Sequence, residues 1–183
     1  KIGAQDLPYS VLTARHPGSG ACFYLIDCPA CYARPGIYTA EADDYRRFLL
    51  LTHAAFMCCQ RMGFAPQILH CNDWHTALAP LWLRTIYHWD KLFAHTHSVL
   101  TIHNLGYQGI VSAAHAAELL AGADDSLLHQ PDLHAGRINM LRTGMQYADR
   151  VTTVSPSYAR EILTAEYGMG LEDTLRARSG ALT

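Results

Sequence analysis

Several features are missing from these 183 residues, and each absence removes a class of function. No apolar stretch approaches the ~20 residues a membrane-spanning helix needs. The longest candidate, Phe48 to Met62, is interrupted by Thr52, His53 and Gln60. Neither sign of charge dominates: 14 Lys and Arg stand against 16 Asp and Glu, a formal net charge of -2. A membrane and a nucleic acid are therefore not expected as partners. No secretory signal is visible, so the six cysteines are expected to be free thiols in a reducing compartment. A glycine-rich phosphate loop is lacking too. "HPGSG" precedes a strand instead of following one, and "GYQG" is too short for a dinucleotide fingerprint. Eleven histidines invite a metal site, yet none has ligand spacing. His95 and His97 are two apart, and His70 and His75 are five apart. No metal and no cofactor is expected. No internal repeat, low-complexity run or interdomain linker appears. The chain starts at Lys1 and ends in "RSGALT", which reads as a piece of a longer polypeptide.

Half of the residues are hydrophobic, enough for one domain with a core. Apolar runs and helical patterns alternate. "ACFYLID" (21–27) reads as a buried strand. A long helix is expected from Thr39, its candidate cap, to Gly63, with apolar residues Tyr45, Phe48, Leu49, Ala55, Phe56, Cys59 and Met62 mostly three or four apart. "QILHCN" (67–72) and "HSVLTI" (97–102) are short strands. A helix from about Asp73 to Tyr87 is expected between them, bent by Pro80. "AAHAAELLAG" is a short helix, and 122–136 an irregular excursion. "INMLRTGMQYA" is a helix and "DRVTTV" a fourth strand. "SPSYAREIL" opens a helix capped by Ser155 with Pro156 in its first turn. Strand and helix in alternation predict a parallel sheet with helices on both faces.

In open α/β sheets, ligands bind at the carboxyl ends of the strands. Two strand ends carry polar clusters: Asn72, Asp73, Trp74 and His75 after one, His103 and Asn104 after the other. If the strands are neighbours, both clusters face one crevice. Trp beside Asp and Asn suits a sugar, whose apolar face lies on an indole while polar groups bind its hydroxyls. The alternative is that Asp73 caps the next helix and Trp74 packs in the core. His75 is given no catalytic role. Cys28 and Cys31 form a "CPAC" pair, but Arg34, Pro35 and Gly36 follow at once, so both read as incidental loop residues, with redox chemistry as the minority reading. Cys22, Cys58, Cys59 and Cys71 lie in apolar surroundings and are expected to be buried.

"YLIDCPACYARPGIY", "HCNDWHTALAPLWLR", "TIHNLGYQG" and "ADRVTTVSPSYAREI", in that order, resemble bacterial glycogen synthase and plant starch synthase. The resemblance runs from about Phe23 to the C-terminus, whereas residues 1–20 carry little of it. It implies that 1–183 is part of the N-terminal domain of a GT-B glycosyltransferase, with Rossmann-like domains facing across a cleft, and that the C-terminal nucleotide-sugar-binding domain lies elsewhere. The implied reaction moves glucose from ADP-glucose or UDP-glucose to the non-reducing end of an α-1,4-glucan, with retention. The implied catalytic residue is His103. The implied substrate-binding residues are Asp73, Trp74 and Asn104, together with Tyr38, which matches a tyrosine in the loop after "RPG". A cytoplasmic location in a bacterium, or a plastid in a plant, goes with this reading. Another retaining GT-B transferase and a non-catalytic carbohydrate-binding module are the alternatives.

Overall fold

The apolar runs at 67–72 and 97–102 become adjacent strands, and the rest of the fold is arranged around them. A computed structural model describes residue 3, residues 5–39 and residues 41–183. Lys1, and Ala40 inside the expected long helix, lie outside the described residues.

A hairpin of β1 (Ser10–Arg15) and β2 (Cys22–Asp27) comes first, followed by the short helix α1 (Pro29–Tyr32) and the long helix α2 (Asp44–Met62). Then come β3 (Ile68–Asn72), α3 (Ala79–Arg84) and β4 (His97–Ile102). A second small hairpin, β5 (Ile110–Ser112) with β6 (Arg137–Asn139), encloses α4 (Ala116–Leu120) and α5 (Gln130–His134). The chain closes with α6 (Met140–Tyr147), β7 (Arg150–Thr153), α7 (Pro156–Glu161) and α8 (Glu172–Ala177).

The central sheet is parallel, in the order β3-β4-β7. Its register sets Asn72 beside Thr101, and Ile102 beside Thr153. Side chains alternate between its faces. Cys71, Ser98, Leu100, Ile102 and Val151 are buried on one face. The other carries a polar row in which Thr101 Oγ1 lies 2.7 Å from both His70 Nε2 and Thr152 Oγ1. The "RSGALT" end returns along β7, where Thr183 N donates to Val151 O at 2.9 Å.

Asp149 staples the start of β7 to that of β4: its carboxylate accepts from Ser98 N (2.7 Å) and Oγ (2.9 Å), and from Arg84 (2.7 Å). Aromatics fill the core beneath α2. Phe56 stacks on Tyr87 at 4.1 Å and meets Phe93 edge-on at 5.3 Å. Trp82 Nε1 donates to Leu119 O at 2.8 Å, satisfying a buried indole N–H. Where α6 crosses the turn before α3, Gly144 is obligatory, because a Cβ there would stand 2.6 Å from Ala77 O.

Four expectations need correction. The 21–27 run is a strand, but it is not buried. It pairs antiparallel with β1, and Phe23, Tyr24 and Leu25 remain exposed. The expected helix from Asp73 to Tyr87 is two pieces, a 3-10 turn at Trp74–Thr76 and then α3. Pro80 sits in the first turn of α3, where a missing N–H breaks no helical bond. The long helix begins at Asp44. Thr39 does not cap it but donates through N and Oγ1 to the Asp44 carboxylate (2.9 and 2.6 Å), while Gly63 ends it at φ 62°. Cys22 is exposed. The Ser155 cap is present: its hydroxyl accepts from Tyr158 N at 3.1 Å, with Pro156 in the first turn.

Asp132 is a second staple. Its buried carboxylate accepts from Arg137 Nε at 3.0 Å and lies 2.9 Å from Arg142 Nε, a contact between charges with poor hydrogen-bond direction. Arg142 extends the tie to Thr174 Oγ1 (2.7 Å) and Gly170 O (2.8 Å). Burial pushes the Asp132 carboxyl up, but the Arg137 hydrogen bond and the Arg142 charge outweigh it, and its pKa is lowered overall. A lowered carboxyl contributes stability above its unfolded pKa of ~3.9 and loses it as pH falls through the folded value. Asp132→Asn is therefore expected to cost about 3 kcal/mol at pH 7, because Arg142 stays buried without its counter-charge. Urea unfolding should show that the gap from wild type narrows below pH ~4.

Candidate functional site

The β3–β4 register determines which side chains meet at the carboxyl end of the sheet. Asp73 N donates to Thr101 O at 2.9 Å, so the ladder runs one bond past β3. Asp73 then turns at φ 50°, ψ −167°, a conformation that a non-glycine residue adopts at a cost. The turn brings its carboxylate under the next strand end, where Oδ1 accepts from His103 N at 2.7 Å and from Asn104 N at 3.4 Å. The tie is reciprocated, with His103 Nε2 lying 3.0 Å from Asn72 Oδ1. An amide oxygen only accepts, so Nε2 is the donor. Asn104 Oδ1 accepts from Gly106 N at 2.8 Å, setting the following turn. The Thr76 hydroxyl accepts from Asn72 N (2.7 Å) and donates to Asn72 O (3.1 Å), closing the first loop. Asn72, Asp73, His103 and Asn104 thus form one interlocked unit, with His103 and Asn104 exposed to solvent.

Beside this unit lies an aromatic layer. Trp74 is only 8 % exposed. His75 stacks on it at 4.3 Å, and Phe48 from α2 meets both rings edge-on, at 4.8 Å from Trp74 and 4.5 Å from His75. Gly109 (φ +62°) presses against the indole so closely that a Cβ there would be 2.5 Å from Trp74 Cε3. Most of the indole is covered, and what remains lines a cavity with Tyr45, Gly109 and His115, so Trp74 serves mainly as a floor under the crevice. Tyr38 reaches the layer from the loop after α1, with its hydroxyl 2.8 Å from His75 Nε2. Burial raises the Tyr38 pKa, and Asp73 and Tyr107 add to the rise. Burial lowers the His75 pKa, partly countered by Asp73.

Asp73, His103 and Asn104 therefore come together directly, and Tyr38 and Trp74 join them through His75. The sequence reading missed His75 as the connector and Tyr107 as a neighbour of Tyr38. Tyr107 was in view inside "HNLGYQG", as an aromatic between two glycines. Cys28 and Cys31 are core residues and not loop residues: both are buried, and Cys28 is the N-cap residue of α1. Burial and the neighbouring Cys28 push the Cys31 thiol up to about 11, which leaves it unreactive. The Glu41, Asp43 and Asp44 carboxylates converge, but on the Arg34 guanidinium.

The residues match a family model described as the starch synthase catalytic domain over 2–177. A glycogen synthase of Aeromonas salmonicida is 38 % identical over 184 residues, covering 98 % of this chain and 37 % of that protein. One from Koribacter versatilis is 42 % identical over 167 residues, covering 89 % of this chain and 34 % of that protein. Among solved structures, the catalytic domain of starch synthase IV from Arabidopsis thaliana bound to ADP and acarbose superposes with a TM-score of 0.80 at 31 % identity, covering 97 % of this chain and 40 % of that one. The chain thus spans little more than a third of the length of these relatives. No helix among the described residues is long and apolar enough to cross a membrane.

Two outcomes follow from the geometry. Trp74→Ala is expected to lower unfolding free energy by about 3–5 kcal/mol, the cost of emptying a packed aromatic site, as read by urea denaturation. In a proton NMR titration, His75 should have a midpoint below the ~6.5 of a free imidazole. The unfolded chain then binds the proton more readily, so this contribution to stability is complete above pH ~6.5 and is lost as pH falls through the folded midpoint. A midpoint at or above 6.5 contradicts a buried imidazole.

Proposed function

The chain belongs to the starch synthase catalytic domain family, and on that premise we propose that it forms one wall of the active-site cleft of a glucan-elongating glucosyltransferase. Its sheet is the parallel α/β type of the GT-B starch synthase architecture. The proposed reaction transfers glucose from a nucleotide sugar to the non-reducing end of an α-1,4-glucan, with retention. The observation that supports it best is the interlocked pair of strand ends, in which His103 and Asn104 are held open to solvent by Asp73 at the carboxyl edge of the sheet.

Departure of a nucleoside diphosphate leaves positive charge on the glucose ring, as in other glycosyl transfers. Oxygen and nitrogen dipoles that are already fixed stabilise such charge without reorganising at the moment of reaction. His103 is the proposed catalytic residue, acting through its carbonyl or ring. Its backbone N–H is held by Asp73 and its ring by Asn72, so both are oriented before substrate arrives. Asn104 and Tyr38 are proposed to bind sugar hydroxyls, Asp73 to contribute through the loop it positions, and Trp74 to support them from beneath. ADP in the starch synthase IV structure favours ADP-glucose as donor. The donor's phosphates and the opposite wall of the cleft are assigned to polypeptide outside these residues. A cytoplasmic site of action, or a plastid one in a plant, accompanies the reading.

The test uses the complete polypeptide that contains these residues, incubated with labelled ADP-glucose or UDP-glucose and glycogen. Label should enter the glucan, and His103→Ala should lower kcat about 100-fold or more while the circular dichroism spectrum stays unchanged. Full turnover in that variant would remove His103 from the chemistry. Robust transfer by residues 1–183 alone would overturn the two-walled cleft.

A further inference from the structure

We infer that Tyr107 is an acceptor-binding residue, forming with Tyr38 an aromatic shelf at the crevice mouth that holds a glucan chain by the apolar faces of its sugar rings. The inference rests on the transferase reading above and names the part of the site that takes the acceptor.

The two tyrosines come from separate loops, one after α1 and one after β4, yet their ring planes lie within 4° of parallel with centroids 6.3 Å apart. Both rings face solvent, Tyr38 at 58 % and Tyr107 at 63 % exposure. Parallel, exposed aromatic rings beside a polar crevice are a binding surface left open, since core packing would have covered them. Trp74 is largely covered, whereas Tyr38 and Tyr107 present their rings to solvent.

The shelf is preorganised. Tyr38 is fixed by its hydrogen bond to His75. The backbone at Tyr107 is pinned by its neighbour Gln108, whose amide donates to Leu105 O and Met169 O (both 3.1 Å) and accepts from Asn139 Nδ2 (2.6 Å). A tyrosine ring on a rigid loop loses little entropy on binding. The Tyr107 hydroxyl has no protein partner among the described residues, so it is free to meet a sugar hydroxyl.

The chemistry selects the ligand. A pyranose presents C–H faces to a ring and hydroxyls around its rim, and an α-glucan carries no charge. The two rings stack, so the pair meets a ligand with its outer ring face and two hydroxyl-bearing edges, and the second ring extends the contact to a neighbouring sugar of a chain. Adenine could also stack on a tyrosine, so donor and acceptor must be separated in the test.

Tyr107→Ala and Tyr107→Phe, made in the complete polypeptide, would be assayed with maltoheptaose and ADP-glucose varied independently. The alanine variant should raise the maltoheptaose KM about tenfold, with the ADP-glucose KM and the kcat at saturating acceptor nearly unchanged. The phenylalanine variant, which keeps the ring, should retain most of the affinity. A melting temperature equal to wild type in both variants checks that the fold is intact. If alanine lowers it, Tyr107→Leu, which keeps bulk but no aromatic face, takes its place, and wild-type affinity for maltoheptaose by calorimetry in the folded leucine variant overturns the inference. An unchanged acceptor KM in the alanine variant overturns the inference, as does a selective rise in the donor KM. If the wild-type polypeptide transfers no glucose, the transferase reading fails on its own. Calorimetry still judges the shelf: maltoheptaose binding that Tyr107→Ala abolishes supports it, and no binding to wild type overturns it.

Discussion

The Asp73 carboxylate is the contact on which the crevice depends. It accepts the His103 amide at 2.7 Å from a backbone held at φ 50°. A conformation of that kind costs about 1–3 kcal/mol and survives only where surrounding bonds over-determine it. Three bonds do so here: Asp73 N to Thr101 O, the carboxylate to His103 N, and His103 Nε2 to Asn72 Oδ1. All three presuppose the β3–β4 register. Slipping one residue would send Asn72 and Cys71 to the wrong faces and aim the Asp73 carboxylate away from β4. The buried apolar face of the sheet therefore sets the geometry of polar groups that themselves contribute little to the core.

Beneath that unit the aromatics divide into supporting and exposed members. Phe48, Trp74 and the His75 ring are packed against one another, and Gly109 closes the far side of the indole. Tyr38 and Tyr107 stand above, joined to the layer by the Tyr38–His75 hydrogen bond and by their parallel rings. A neutral His75, favoured by its burial, keeps that junction uncharged. The sequence left Trp74 between sugar contact and core packing, and its burial agrees with the second of these.

What the sequence made legible follows from the range of the interactions involved. The three parallel strands were visible because each is a short apolar run bounded by turn residues, and the α2 stop and the Ser155–Pro156 start were visible because caps are local. That Asp73 and His103 share a crevice was conditional on two strands being neighbours, which the topology satisfies. The β1–β2 hairpin was half missed, because "SVLTAR" has no strong alternation and its partner's apolar side chains suggested burial. Pro80 misled because its effect depends on position: mid-helix it breaks a bond, and in a first turn it does not. The partners of Asp73, the role of His75 and the burial of Trp74 depend on contacts about 30 residues apart or more in sequence, which no local pattern encodes.

The crevice is poor in charge. The residues that close the crevice are Tyr38, Asn72, Asp73, Trp74, His75, His103, Asn104 and Tyr107, and no lysine or arginine is among them. Arg34, near the loop bearing Tyr38, is held by Asp43 and its acidic neighbours, and Arg47 is bonded to Asp44 and to Gly36 O. The one acid in the crevice, Asp73, is engaged with backbone N–H groups. What remains exposed is a set of amide, imidazole and phenol groups, suited to a neutral, hydroxyl-rich polymer. A nucleoside diphosphate needs cations or clustered N–H donors for its phosphates. These crevice residues bring no such cations, and their one acid is already engaged with backbone N–H groups.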